Sequence, residues 1–133
     1  MSMRHAKTLS VSIEQSPEKV YEFIMDPINF TKWTTSFTHS IQKIKDDWIV
    51  ETTDGQLKLK FIEKNIFGVA DHYVTTEAGI EIENHIRVIP NGSGSELTFT
   101  LFQIQGMSNE QFSKDYHNVE KDLLTLKSIL EKN

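Results

Sequence analysis

Asp71 and His72 stand side by side in the middle of the chain. A carboxylate beside an imidazole supplies the groups for proton transfer or for anchoring a polar ligand. Their setting reads as a strand, and adjacent strand residues face opposite sides. The two therefore cannot act as a dyad in one cavity. The turn at Glu77-Ala78-Gly79 decides which one points inward. Pairing of Thr76 with Ile80 sets His72 opposite Asn84 on the inner face. A slip of one residue brings Asp71 and Tyr73 inside instead. Asn84 shares its face with Ile80, Ile82, Ile86 and Val88. A polar side chain there needs partners. It either satisfies itself with its neighbour or a water, or it anchors a ligand. Acid–base catalysis is the third reading. Tyr116 joins these candidates, with a hydroxyl at the tip of an apolar body. Trp33, Phe61 and Phe99 are assigned to the apolar wall of a pocket. Arg87 falls on the outer face, where Glu81 or Glu83 can pair with it. A register slip would make it a clamp for a ligand carboxylate.

Other chemistries find little support. The five histidines, His5, His39, His72, His85 and His117, form no spaced metal motif, and no metal or cofactor is expected. His85 is expected to face solvent. There is no cysteine, which excludes disulfides, thiolate catalysis and thiolate metal sites. No Gly-x-Ser-x-Gly elbow occurs. Asn91-Gly92-Ser93-Gly94 precedes a strand and reads as a turn, not a phosphate cradle. Fourteen Lys and Arg against nineteen Asp and Glu leave a net charge of −5. Without a basic run, nucleic-acid binding is not expected. No apolar stretch reaches the roughly 20 residues of a membrane span. The Met1–Lys7 segment lacks an apolar signal core, and the expected location is the cytoplasm.

The positioning elements follow from hydropathy. With 133 residues, 38% of them hydrophobic, residues 1–133 are expected to form one domain. Residues 8–14 alternate as a strand. Ser16-Pro17-Glu18 starts a short helix with Val20, Phe23 and Ile24 on one face, and Asp26-Pro27 ends it. A second short helix carries Ile28, Phe30 and Trp33. Strands follow at 41–44, 48–52, 57–61, 66–75, 80–88 and 96–105, with Asp54-Gly55 as a hairpin turn. Phe102 and Ile104 point away from the face of Leu97, Phe99 and Leu101, which suggests a strand-end cover or a partner contact. Either a monomer or a homodimer fits. Ser108 and Gln111 form a capping-box pattern. Phe112, Tyr116, Val119, Leu123, Leu126 and Leu130 then mark a long amphipathic helix, widened by Leu124. Asp115, Lys121, Asp122 and Lys127 are placed on its solvated side. The expected class is α+β, with a curved antiparallel sheet of about six to seven strands wrapped around the C-terminal helix. That architecture is the helix-grip.

The stretch from Val11 to Trp33 resembles the opening signature of the START-related (SRPBCC) superfamily. A strand leads to Ser16-Pro17-Glu18, then Val20-Tyr21, Asp26-Pro27 and Trp33. The strand run and the final helix extend the resemblance over essentially the whole chain. It implies an elongated, mostly apolar cavity between sheet and helix. It also implies three functional branches. The first binds a small apolar or amphipathic ligand. The second is a polyketide cyclase/dehydratase-like enzyme using the same cavity, with His72, Asp71 or Tyr116 as acid or base. The third is a protein-interaction domain of the chaperone-ATPase activator type. Fold alone does not choose among them.

Overall fold

The computed structural model describes residues 3–132; Met1, Ser2 and Asn133 of the expected 1–133 domain lie outside the described residues. Seven antiparallel strands form one sheet in the order β1-β7-β6-β5-β4-β3-β2. They are β1 (Ala6–Ile13), β2 (Thr38–Ile44), β3 (Asp47–Thr52), β4 (Gly55–Phe61), β5 (His72–Thr76), β6 (Glu81–Asn91) and β7 (Gly94–Phe102). Between β1 and β2 lie α1 (Pro17–Met25), a single 3-10 turn over Pro27–Asn29, and α2 (Phe30–Trp33). The chain ends in the long helix α3 (Asn109–Glu131). This is the expected helix-grip arrangement.

Local chemistry sets the helix ends. The Ser16 hydroxyl accepts from Lys19 N–H, and Pro17 occupies the first turn, where its missing N–H costs nothing. The Asp26 carboxylate accepts from Ile28 N–H and starts the 3-10 turn. Ser108 caps α3 by accepting from Gln111 N–H at 3.0 Å. The reciprocal half of the capping box is not made. Gln111 instead donates its side-chain amide to Asp115.

The site depends most on β6. Its first four residues pair with β5, from His72↔Asn84 to Thr75↔Glu81. Its last seven pair with β7, from His85↔Thr100 to Asn91↔Gly94. Residues 81–84 thus have no ladder with β7, and the sheet opens along that stretch. The segment expected as a strand from residue 66 is a loop up to Asp71, touching β6 through a single Val69↔Arg87 bridge. Gly68 explains the loop. Its φ is +72°, and a Cβ there would lie 2.1 Å from the Val88 carbonyl oxygen, so only glycine fits.

Two apolar clusters fill the concave side. One joins β1, β6, β7, α1 and the C-terminal half of α3 through residues such as Ile13, Val20, Ile24, Ile86, Leu97 and Leu126. The smaller one gathers Phe30, Val50, Leu59 and Val74 under β3–β5. Leu123, Leu126 and Leu130 are buried, but Leu124 is 58% exposed and does not widen the packed face. Ile104 lies beyond the end of β7, in the turn leading to α3.

Candidate functional site

A cavity of about 1330 Å³ lies between the two clusters. That exceeds the roughly 300–1,000 Å³ of ordinary small-molecule pockets, and it opens to solvent. Phe30 and Trp33 of α2, Leu57 of β4, Val74 of β5, Phe99 and Leu101 of β7, and Val119 of α3 supply its apolar wall. Polar side chains line the cavity as well, with Thr34, Ser36, His72, Asn84 and Asp122 among them and several carboxylates besides.

The β5–β6 register sets His72 opposite Asn84, and Thr76 N–H donates to the Ile80 carbonyl across the turn. His72 is 2% exposed. Its ring packs at 4.9 Å from Phe61 and edge-on at 5.6 Å from Phe30. Burial in this apolar setting pushes its pKa down to about 4, against weak support from the Ala70 carbonyl 3.4 Å from Nδ1. The imidazole is therefore neutral at neutral pH. A carbonyl can only accept, so it favours a proton on Nδ1 and leaves the Nε2 lone pair free. Asn84, half-buried across the ladder, also borders the cavity.

Trp33 is 1% exposed, and among the described residues its indole N–H has no hydrogen-bond partner. Leaving a buried donor unsatisfied costs about 1–3 kcal/mol. Asp122 makes a second unusual group. It is 3% exposed, on the face of α3 turned toward α2. Its Oδ1 accepts from Ser36 N–H at 3.1 Å and from the Ser36 hydroxyl at 2.5 Å. Burial pushes its carboxyl up to about 6, with the Ser36 bonds pulling the other way. The positive charge acting on it, Lys121, is itself exposed. Strained carboxyls of this kind concentrate where proteins handle ligands or protons.

Placement on the solvated side is thus corrected for Asp122. The helical spacing held the signal. Asp122 follows Val119 by three residues and precedes Leu126 by four, so it falls on the apolar stripe. Ser36, its partner in the α2–β2 connection, had no signal of its own.

Asp71 lies on the opposite face of the sheet and is not part of the cavity wall. Its Oδ1 accepts from Ile86 N–H at 3.0 Å and from the Arg87 guanidinium, and its Oδ2 lies 3.0 Å from His85 Nδ1. Burial pushes its carboxyl upward, but the bonds from His85, Ile86 and Arg87 outweigh it and hold the pKa below the ordinary value. His85 is therefore engaged with Asp71 and Glu83 rather than simply solvated. Tyr73, opposite Glu83 in the ladder, shares that outer face. Tyr116 is half-buried on α3 with the Lys7 ammonium 4.7 Å from its ring centre, away from the cavity wall. Phe61 stands behind His72 rather than on the wall, whereas Trp33 and Phe99 border the cavity directly.

A curved sheet gripping a long C-terminal helix, with an open cavity between them, defines the fold class: this is the helix-grip fold. Solved structures share it over nearly the full chain. Ara h 8.0201 superposes with a TM-score of 0.75 at 12% identity, covering 98% of this chain and 100% of its own. The Aha1 dimer from Colwellia psychrerythraea gives 0.73 at 16%, covering 96% of each. DynU16, from the dynemicin biosynthetic locus, gives 0.66 at 14%, covering 95% of this chain and 47% of its own. At these identities the likeness is one of fold. No family model matches the chain, and no curated protein matches it. Among the described residues no helix is long and apolar enough to cross a membrane.

Proposed function

We propose that the protein, acting as one domain over residues 1–133 in the cytoplasm, binds a small, largely apolar molecule in the cavity between its sheet and α3. The observation carrying this reading is an apolar cavity bordered by polar groups that the protein itself leaves under-partnered. His72 offers an acceptor, Asn84 both a donor and an acceptor, and Asp122 a carboxylate. Apolar burial supplies affinity at about 25 cal/mol per Å² before association costs. The polar groups orient the ligand. Trp33, Phe99, His72, Asn84 and Asp122 form the contact set. Asp71 and Tyr73 stay outside it, and Tyr116 and Phe61 support it from behind.

A second reading is favoured by Asp122 alone. A cavity carboxyl titrating near 6 can exchange protons at neutral pH, as a cyclase- or dehydratase-like reaction requires.

Native mass spectrometry of protein gently purified from its host tests the binding reading. A released apolar compound near one per chain supports it. Ligand-free protein that is also not stabilised by a broad panel of apolar compounds overturns it. If the compound recovered is consumed on incubation, and Asp122→Asn stops its consumption, the enzyme reading takes precedence.

A further inference from the structure

We infer that the cavity selects ligands carrying a positive charge, that is, an apolar molecule bearing an amine, over the corresponding carboxylic acid. This rests on the binding reading above and specifies the chemical class of its ligand.

The charges around the cavity are one-sided. Asp54, Glu77, Glu81, Glu83 and Asp115 sit at its rim and Asp122 sits within it, against only Arg4 and Lys114. Glu83 is partly engaged by His85, and Asp115 accepts from Gln111. The remaining rim still presents a negative field, which raises the local concentration of cations and repels anions. A rim of acids alone would say little, since it can be a solvated edge. The decisive group is Asp122.

Asp122 is almost wholly buried, yet among the described residues no cation forms a salt bridge with it. Ser36 satisfies Oδ1 by two hydrogen bonds, and Oδ2 has no hydrogen bond among the described residues. A buried carboxylate lacking a counter-charge destabilises the site that holds it, and an incoming ammonium relieves that cost. The other polar groups at the wall do not oppose a cation. His72 is neutral and presents a lone pair, and Asn84 can turn its carbonyl toward a donor. An anionic ligand would meet Asp122 with no internal cation to balance it.

Three compounds sharing one alkyl tail make the test: decylamine, decanol and decanoic acid, titrated calorimetrically into the intact protein near neutral pH. The amine is expected to bind about tenfold or more tightly than the acid, a difference of about 1.4 kcal/mol. Asp122→Asn is expected to erase most of that preference, because the amide keeps the acceptor to Ser36 and removes only the charge. A melting curve of the variant confirms that it folds, and the head-group ranking in the unaltered protein stands independently of it. Acid binding equal to or tighter than amine binding overturns the inference and leaves the cavity reading intact. So does an amine preference that survives Asp122→Asn. Absence of binding by all three compounds overturns both.

Discussion

The step from Asp71 to His72 crosses the sheet, and the two residues meet opposite environments less than one side chain apart in sequence. On the outer face, Asp71 gathers a backbone N–H, an imidazole and a guanidinium around one carboxylate. Every oxygen there is satisfied, and the charged form is favoured. On the inner face, His72 and Asp122 are each buried with too few partners, and the charged form of each is disfavoured. Polar groups in a stability element are fully bonded. Facing the cavity, His72 and Asp122 are left short, although Thr34 and Ser36 beside them are bonded. The difference indicates which face is built to hold the sheet together and which is built to receive something else.

The contrast breaks most visibly in acid. His72 has a pKa near 4 when folded and near 6.5 when unfolded. Below 6.5 the unfolded chain takes up a proton that the folded protein refuses until about pH 4. Stability therefore falls as pH drops through that window, by about 3 kcal/mol in full. Asp122 acts in the other direction. Its raised pKa makes the folded form bind a proton first, so stability rises as pH falls from about 6 toward 3.8. The two partly cancel, and an Asp122→Asn background separates them. In that background, urea unfolding near pH 7 and near pH 4 should show the acid loss, and His72→Leu should remove most of it. An acid loss unchanged by His72→Leu would mean that the buried imidazole is not its source.

Asp71→Ala attacks the other face. It leaves Ile86 N–H, His85 and Arg87 without their shared acceptor and should cost about 2 kcal/mol near neutral pH. Because the carboxyl is held below its ordinary value of 3.8, its contribution is present above 3.8 and is lost only in stronger acid. The outer face should thus fail at lower pH than the inner one. Ligand affinity of the folded variant should change little. A binding defect as large as that of a cavity substitution would erase the division between the faces.

How much of this could be read from the residues follows the same division. Alternation at Leu97, Phe99 and Leu101, and the 3–4 spacing from Phe112 to Leu130, are strong periodic signals, and the sheet and grip helix follow from them. The inner position of His72 depended on a single parity, set by how Gly79 closes the β5–β6 turn, and sequence leaves that open. The loop before β5 was hidden because Ile66 and Phe67 look like strand residues, although they are 92% and 76% exposed. Gly68 against the Val88 carbonyl is what breaks the strand, a long-range contact that local propensity does not register. Asp122 defeats the equation of charge with solvent exposure, because its helical position lies on the apolar stripe.

Asp122→Asn by itself sharpens the inner side of the contrast. Removing a buried charge that Ser36 alone supports should raise stability near neutral pH by about 1 kcal/mol, after allowing for partial solvent screening. The gain should shrink as pH falls through about 6 and vanish only below about 3.8, where the folded and unfolded carboxyls are both protonated. Denaturant titrations at both pH values check this. Destabilisation near neutral pH would instead make Asp122 a structural clamp on the α2–β2 connection.

The smallest effect is expected at Trp33. Its indole N–H is buried without a partner, so Trp33→Phe removes an unsatisfied donor while leaving a void beside Phe30. These contributions have opposite sign, each about 1 kcal/mol or somewhat more, and stability should move by less than about 1 kcal/mol either way. The same change on the fully bonded outer face would have no such compensation. If the indole N–H is reserved for a ligand acceptor, the substitution should weaken binding of decanol, which can accept there, severalfold while leaving the melting temperature nearly unchanged. A large fall in stability with unaltered decanol affinity would assign Trp33 to packing and remove it from the site.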